Sequence, residues 1–370
     1  MIGLLLADIA LTFFGNSKPA SVGLAGQLST VNSIGEAAVA LAMGFLVVRF
    51  RHKLLYLSGV FLVIASAVGS FLAPTLQWMQ VFYFLEGIGS MMTAVIASTL
   101  VGNLLADKDK GRVISYVVAA VFLESFVGAP IVNFIAGAEG WRYNFLLFVF
   151  PVAVVGLLIA LYGIPFKNQK VSEKSESHTI SSFRQVFVNR SALFCLLCQF
   201  FFIGTSVSLF TLPFFRSQFS LPRTATVYIL MAASATYLIS SLVTGRLVNK
   251  LRAKNLVVVG TSLDGVFIVG LFLAPTLGLS LALNFTHVWF AGMAFASFSC
   301  LILDQVPGAR GTMISLNSVF GKAGNALTPI IGGLVLGVLS SYSSLGLTLG
   351  VMSITGAALV FLFVKNPVNL

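Results

Sequence analysis

Charged residues are scarce in this sequence, and acidic residues are the scarcest. Asp, Glu, Lys and Arg make up 9% of the 370 residues, whereas a soluble domain carries about 25%. So few charges could not keep a chain of this length in solution, which excludes a water-soluble globular protein. The 22 basic residues exceed the 11 acidic ones and give a net charge of +11. Because long apolar runs separate these basic residues, the excess indicates the positive-inside rule of membrane proteins and not a nucleic-acid-binding surface.

The residues that build most enzyme active sites are also few. The chain has three cysteines and three histidines. Cys195-x-x-Cys198 has redox or zinc spacing, but no second pair and no clustered His accompanies it. The histidines form no zinc spacing and no partner set with Cys or Ser. No glycine-rich loop precedes a Lys-Ser or Lys-Thr pair, so the sequence has no P-loop for ATP. We therefore expect no enzyme activity, no metal site and no cofactor.

Long apolar runs are what the sequence has in abundance. About 20 apolar residues cross a bilayer, and runs of this length predict eleven membrane-spanning helices. Residues 1–15 form one more apolar run that is too short, which indicates either a clipped first helix or an unusually short one. The predicted spans are 28–48, 54–73, 79–105, 113–136, 143–165, 192–214, 225–246, 255–276, 280–303, 311–338 and 343–364.

Basic residues collect in every second connection between these spans. Those connections carry most of the 22 lysines and arginines, and the opposite connections carry only Lys18, Arg142, Arg216 and Arg223. Because basic connections remain in the cytoplasm, the pattern predicts a multi-pass protein of the cell membrane. With twelve crossings, both termini are predicted to be cytoplasmic.

One stretch occurs twice. Gly44–Lys53 reads G-F-L-V-V-R-F-R-H-K, and Gly245–Lys254, 201 positions later, reads G-R-L-V-N-K-L-R-A-K. Each copy is a basic turn between two apolar runs, and such internal repeats are typical of secondary transporters. The sequence therefore predicts an all-α integral membrane protein of two pseudo-symmetric six-helix bundles, with twelve transmembrane helices. The predicted domains are residues 1–166, a cytoplasmic linker 167–190 and residues 191–370.

The polar linker has two open interpretations near its end. Residues 167–190 are the only long polar stretch of the chain, as expected of a connection between domains. Its tail, residues 180–188, is either an amphipathic helix that lies on the membrane or part of a disordered tether.

This arrangement resembles the major facilitator superfamily over essentially the whole chain. The family's turn after the second span usually reads Gly-x-Leu-Ala-Asp-Arg-x-Gly-Arg-Lys. Here Val48 stands where that motif has Asp, and Asn249 stands there in the second copy. The resemblance implies a gating role for Gly44, Arg49 and Gly245. In the family that Asp helps to hold the cytoplasmic side shut, and both copies of the turn lack it here.

A second motif narrows the resemblance. Gly128-Ala129-Pro130, followed by Gly140-Trp141-Arg142, resembles drug and sugar efflux members, the arabinose-efflux-like exporters in particular. Pro329 repeats the proline in the second half, 199 positions after Pro130. Glycine permits close helix packing and proline permits a bend. We therefore expect Gly128, Pro130 and Pro329 to form hinges. The alternative is that these residues have no special role, because glycine and proline are ordinary in membrane helices.

The efflux resemblance has one clear departure, which lies in the fourth span. Antiporters of the family often have an Arg four residues before the first Gly of a Gly-x-Gly sequence. Tyr83 stands in that position here, before Gly87 and Gly89. The departure weakens a direct transfer of proton antiport from the family to this chain.

Ionisable residues inside the apolar runs are candidates for function, because burying such a group in a bilayer costs a few kcal/mol. Glu36, Glu124 and Lys322 lie 12 or 13 residues from a basic turn, roughly 18 to 20 Å along a helix. The resemblance places the second and eleventh helices side by side and so implies that Glu36 reaches Lys322. The pair is expected to switch partners during proton or substrate binding, the alternative being a static ion pair. The other candidates are Asp8 and Glu86 for coupling, Asn133, Asn317 and Asn325 for a polar cavity, and the more peripheral Asp264.

The sequence as a whole predicts secondary active transport of a small organic solute by alternating access. Proton-coupled export is the preferred mode, with uptake of a metabolite by symport as the alternative. A transporter-shaped sensor or scaffold that moves nothing is the alternative from another functional class. The expected partners are the solute, H⁺ and the lipid bilayer, and the expected oligomeric state is a monomer.

Overall fold

The computed structural model describes residues 2–104, 124–163, 184–203, 205, 208–248, 251–306 and 310–365. Within these ranges the chain is helical apart from short turns, and it contains no strand. Asn249 and most of the predicted linker lie outside the described residues. For Gly44 and Glu124 the structure describes only the backbone, which is helical.

The first half of the described chain contains six α-helices, and π-helical turns adjoin the last two. A π-turn precedes α5 at Glu124–Gly128, and two more flank α6 at Phe145–Val149 and Ile159–Gly163. The helices are α1 (Ile2–Phe14), α2 (Pro19–Arg49), α3 (His52–Leu72), α4 (Leu76–Leu104), α5 (Ala129–Ala138) and α6 (Phe150–Leu158).

From residue 190 onward the described chain contains seven α-helices. They are α7 (Arg190–Ile203), α8 (Ser208–Gln218), α9 (Arg223–Leu247), α10 (Ala253–Leu273), α11 (Leu277–Gln305), α12 (Arg310–Leu339) and α13 (Tyr342–Phe363). Across the described residues, nine helical segments are long and apolar enough to cross a membrane, whereas α1 and Phe126–Ala138 are apolar but shorter.

Two predicted spans differ in detail from the helices that form them, although Arg190–Gln218 is one segment that is long and apolar enough to cross a membrane. Helix α2 begins at Pro19, not at residue 28. The apolar run starts later because polar residues such as Gln27 interrupt it. The helix can still begin at Pro19, since a first-turn N–H has no helical partner and its absence in proline costs nothing. The predicted span 192–214 consists of α7 and α8, with a turn at Thr205 whose hydroxyl donates to the Phe202 carbonyl at 2.7 Å.

The chain divides into two compact units, each with its own core. Unit 1 comprises Met1–Ser17 and Ala25–Val171, and unit 2 comprises Lys18–Leu24 and Ser172–Leu370. The predicted domain bounds at residues 166 and 190 stay a prediction. In unit 1 a buried cluster joins α2, α3 and α4, and in unit 2 a larger one joins α7, α10, α11, α12 and α13. Their members include Met43, Leu55, Met92 and Ile96 in unit 1, and Leu196, Val257, Phe298, Leu316 and Val360 in unit 2.

The tail of the predicted linker is helical where it is described. Residues 184–188 form a short helix. Val186 is fully buried in the unit 2 cluster, whereas Phe187 and Val188 are exposed. This part of the linker is therefore helical and Val186 attaches it to unit 2, whereas its predicted position on the membrane stays a prediction.

Candidate transport site

The predicted ionisable residues lie on helices of both units. Asp8 is on α1, Glu36 on α2 and Glu86 on α4, and each is half-buried in unit 1. Lys322 is half-buried on α12 in unit 2. The backbone of Glu124 begins the π-turn before α5, and its side chain lies outside the described part. The pairing of Glu36 with Lys322 stays a prediction.

Glu86 is held by an amide from the neighbouring helix. The Asn32 side-chain amide on α2 donates to the Glu86 carboxylate and, at 3.0 Å, to the Tyr83 carbonyl. The Tyr83 ring packs edge-on against Phe145, with the ring centroids 5.9 Å apart. A neutral donor thus stabilises a carboxylate inside the helix bundle, where an unpaired charge would be costly. The Tyr83 that replaces the family's arginine contributes its backbone carbonyl to this arrangement.

Glycines allow the helices around Glu86 to approach closely. A Cβ on Gly87 would lie 2.2 Å from the Asn32 carbonyl oxygen, and one on Gly35 would lie 2.7 Å from the Phe84 carbonyl oxygen. On the other side of α4, a Cβ on Gly89 would lie 2.5 Å from the Gly59 carbonyl oxygen. The Gly87-x-Gly89 pair therefore faces α2 with one glycine and α3 with the other, and this packing sets the distance from Asn32 to Glu86.

The two predicted proline hinges differ in local structure. Pro130 lies in the first turn of α5, directly after the π-turn that ends at Gly128. Pro329 lies inside the unbroken helix α12. Three residues after it, Gly332 packs against Phe210, whose ring would lie 2.2 Å from an added Cβ. Since π-turns occur often at functional sites, the fifth-span position has a local irregularity that its counterpart in α12 lacks.

The Gly140-Trp141-Arg142 motif forms a corner that joins α1, α3 and the end of α5 in unit 1. Gly140 has a φ of +102°, a conformation that glycine adopts without strain. The Trp141 indole donates to the Thr12 hydroxyl at 2.8 Å. The Arg142 guanidinium donates to the carbonyls of Phe71 at 3.2 Å and Ala73 at 2.6 Å. It also lies 5.3 Å from the Phe13 ring centroid and 5.1 Å from that of Trp141.

The predicted polar residues are half-buried, and a buried amide that was not predicted, that of Gln199, lies near one of them. Asn317 and Asn325 on α12 are half-buried, as is Asn133 on α5 in unit 1. The Asn317 Oδ1 atom is buried and has no hydrogen-bond partner among the described residues. The same holds for Oε1 of Gln199 on α7, a residue that is 4% exposed. A Cβ on Gly321, one turn after Asn317, would lie 3.5 Å from the Gln199 side-chain nitrogen.

A second group that was missed lies at the junction of α10, α11 and α13. Asp264 was predicted to be peripheral and His287 was given no partner, yet His287 Nδ1 lies 2.7 Å from Asp264 Oδ1. The Ser353 hydroxyl donates to Asp264 Oδ2 at 2.8 Å. One signal was available: Asp264 lies 11 residues before Pro275 in the turn, and His287 lies 12 residues after it. In an antiparallel helix hairpin this spacing places the two side chains at one level.

Comparison with known proteins identifies the family to which these helices belong. The sequence profile of the Major Facilitator Superfamily matches residues 1–285 and again residues 200–369. The chain belongs to the major facilitator superfamily.

The relatives include, by name, a sialic acid transporter and a chloramphenicol resistance protein. The sialic acid transporter NanX of Escherichia coli is 22% identical over 325 residues, which are 85% of this chain and 78% of that protein. The chloramphenicol resistance protein CraA of Acinetobacter baumannii is 24% identical over 166 residues, 43% of this chain and 38% of that protein. The crystal structure of a D-xylose-proton symporter is 15% identical with a TM-score of 0.75, over 99% of this chain and 96% of that one.

Membership in the major facilitator superfamily decides the general function. The predicted all-α membrane fold is confirmed, and the chain is a multi-pass membrane transporter of the alternating-access type. The superfamily consists of transporters and not of enzymes. Its members bind small-molecule substrates, often together with protons.

Proposed function

We propose that this protein exports a small organic solute in exchange for protons. The observation that supports the proposal best is the Glu86 carboxylate, which lies half-buried on α4 and accepts from the neutral amide of Asn32. Carboxylates inside membrane helices serve as proton carriers in many pumps and transporters. Protonation of Glu86 leaves the Asn32 bond intact, because the protonated acid retains an acceptor oxygen.

The export direction rests on two further features. The fifth span is irregular at the Gly128-Ala129-Pro130 sequence that resembles efflux members, because a π-turn ends at Gly128 and Pro130 follows it. CraA is by its name a resistance protein, as expected of an exporter. In this proposal Gly128, Pro130 and Pro329 act as hinges, and Gly44, Arg49 and Gly245 act in gating. Lys322 exchanges carboxylate partners between states, as the sequence predicts.

Uptake by proton symport is the second candidate. It is favoured by NanX, a sialic acid transporter, which matches 85% of this chain, and by the fold shared with a D-xylose-proton symporter. Sialic acid and D-xylose both carry hydroxyl groups. In either mode the buried amide oxygens of Gln199 and Asn317 are suited to accept hydrogen bonds from a solute with hydroxyl or amino donors.

A proton-flux assay separates the two modes. The purified protein is reconstituted into liposomes that contain the pH-sensitive dye pyranine. Sialic acid, chloramphenicol or D-xylose is then added outside, with the radiolabelled solute in a parallel sample. Antiport predicts that the lumen becomes more alkaline as the solute enters, whereas symport predicts that it becomes more acidic. Solute entry without any change of lumen pH would contradict proton coupling.

Two lysine variants test the predicted switch in the same assay. Lys322→Ala is expected to abolish solute flux while the protein still inserts into the membrane. Lys254→Ala is the matched control, because Lys254 lies at the start of α10 and its ammonium group donates to the Phe361 carbonyl at 3.0 Å. Normal flux with Lys322→Ala would refute the switch.

A further inference from the structure

The most buried carboxylate of the described chain is not among the predicted coupling residues. Asp264 is 1% exposed, in the middle of α10. Its two oxygens have separate partners, the His287 ring at 2.7 Å on α11 and the Ser353 hydroxyl at 2.8 Å on α13. His287 is 8% exposed and Ser353 is fully buried. Three helices of unit 2 therefore meet at one carboxylate.

Close backbone packing seals this junction. A Cβ on Gly265 would lie 2.6 Å from the Gly350 carbonyl oxygen, and one on Gly350 would lie 2.7 Å from the Gly265 carbonyl oxygen. One residue away from Gly265, Asp264 is therefore held where α10 and α13 are in direct backbone contact. A Cβ on Gly260 would lie 3.0 Å from the Ala294 nitrogen of α11. Contacts this tight exclude bulk water and lower the local dielectric.

Few other ionisable groups act on the Asp264–His287 pair. Tyr237 of α9 lies within electrostatic range of Asp264. Helix α13, apart from Tyr342 in its first turn, has no ionisable side chain. Lys254 is on α10, 10 residues from Asp264, and Cys300 and Asp304 are on α11, 13 and 17 residues from His287, roughly 15, 20 and 25 Å along the helices. The remaining ionisable groups on helices packed against α11 are Arg190, Cys195, Cys198, Arg223, Tyr228, Arg246, Arg310 and Lys322.

The geometry of the pair is compatible with one proton or with two. With Asp264 ionised and His287 neutral, the Nδ1–H donates to Oδ1 and the pair carries one negative charge. A single buried charge is costly in such surroundings. One proton from solvent, bound at Nε2, converts the ring to imidazolium and brings the net charge to zero without breaking the existing hydrogen bond. Histidine is the side chain whose charge ordinarily changes between about pH 5 and 8.

We propose that Asp264 and His287 form a proton-binding centre within unit 2, separate from the carboxylates predicted for coupling. Ser353 links its charge to helix packing, because the hydroxyl has one hydrogen and two acceptors, Asp264 Oδ2 at 2.8 Å and the Thr261 carbonyl at 2.9 Å. Protonation of the His287 ring changes the charge beside Asp264 and so shifts that hydrogen between a side chain and the backbone of α10. The contact between α10 and α13 therefore senses the proton.

The histidine content of the chain makes a direct test practical. Only His52 and His178 accompany His287, so a His52→Gln, His178→Gln protein leaves one ring to observe. The full chain is labelled with ¹³C,¹⁵N-histidine, placed in nanodiscs and followed by NMR between pH 5 and 9. No substrate is needed, so the result is independent of the export proposal. The wild-type pair is expected to show a ring that donates through Nδ1 and gains one proton in a single step.

Three variants decide the outcome. Asp264→Asn is expected to move the midpoint of that step by about one pH unit or more to lower pH, because the imidazolium loses its counter-charge. Ser353→Ala, which retains the Asp–His pair, tests the link to α13 and is expected to produce a smaller shift. Thr286→Val is the matched control on the exposed face of α11 and should leave the midpoint unchanged. A His287 ring that keeps one protonation state from pH 5 to 9, or a midpoint that Asp264→Asn leaves in place, would overturn the proposal.

Discussion

Asn32 makes it possible for a carboxylate to lie on α4 between apolar turns. Its amide donates to Glu86 and to the Tyr83 carbonyl, so one side chain satisfies two acceptors. Asp264 is satisfied in a similar way, by a ring and a hydroxyl. Both carboxylates therefore have hydrogen-bond partners on neighbouring helices. Buried acids with such partners combine stability with the capacity to bind protons.

Arg142 supports a prediction at the same scale. Arg142→Ala removes donors to the carbonyls of Phe71 and Ala73 and the ring contacts with Phe13 and Trp141. We expect a loss of about 1–3 kcal/mol, measured as a lower melting temperature by tryptophan fluorescence in detergent. Arg142→Lys retains the charge but not the planar donor fork, so an intermediate loss is expected. Unchanged melting of Arg142→Ala would show that the corner contributes nothing to stability.

Helix contacts in both units depend on glycines that face other helices, and the chain also contains glycines in open positions. A Cβ on Gly87 would meet the backbone of α2 at 2.2 Å, whereas one on Gly245 or Gly278 would meet nothing within 4 Å. The first kind sets the distance between helices. Glycines in open positions are not required by helix packing. At Gly245 the predicted gating role would explain why the residue is glycine.

Two alanine variants test this difference between elements. Gly87→Ala is expected to destabilise the protein by about 1–3 kcal/mol through overpacking against α2. Gly245→Ala is expected to retain or raise stability by up to about 1 kcal/mol, because alanine is the better helix former. Melting temperatures in detergent check both, and solute flux is measured on the folded variants. Reduced flux in a stable Gly245→Ala protein supports gating, whereas full flux counts against it.

At the scale of the whole molecule, the distribution of basic residues predicts which side of the membrane each connection faces. Gln218 and Leu251 lie on either side of α9 and are both exposed. The turn at Leu251 lies among basic residues and is predicted to face the cytoplasm. The other connection is predicted to face outward, which makes α9 a convenient test of the orientation.

Cysteine labelling of intact cells checks this orientation. The three native cysteines are replaced first, and Gln218→Cys or Leu251→Cys is then introduced. A membrane-impermeant maleimide added outside is expected to label Gln218→Cys at once and Leu251→Cys only after permeabilisation. The reverse pattern would invert the predicted topology and place both termini outside.

Most of the helices and the family were predictable from the sequence, because both depend on local pattern. Runs of about 20 apolar residues locate a span wherever it packs, and the duplicated basic turns indicated a transporter of two halves. The helix bounds differ from the predicted spans where this signal is weak. The polar first turns of α2 were assigned to a connection, and the turn at Thr205 lies within one apolar run.

The contacts at the candidate sites depended on the tertiary structure. Hydropathy places Glu86, Gln199 and Asp264 inside a membrane but does not say which way each side chain points. That direction depends on the rotation of each helix against its neighbours, and glycine contacts such as Gly265 with Gly350 set that rotation. Apolar composition and the spacing of the repeated basic turns determined that the protein is a membrane transporter. Only the packing decided that Asn32 meets Glu86 and that Asp264, His287 and Ser353 share one site.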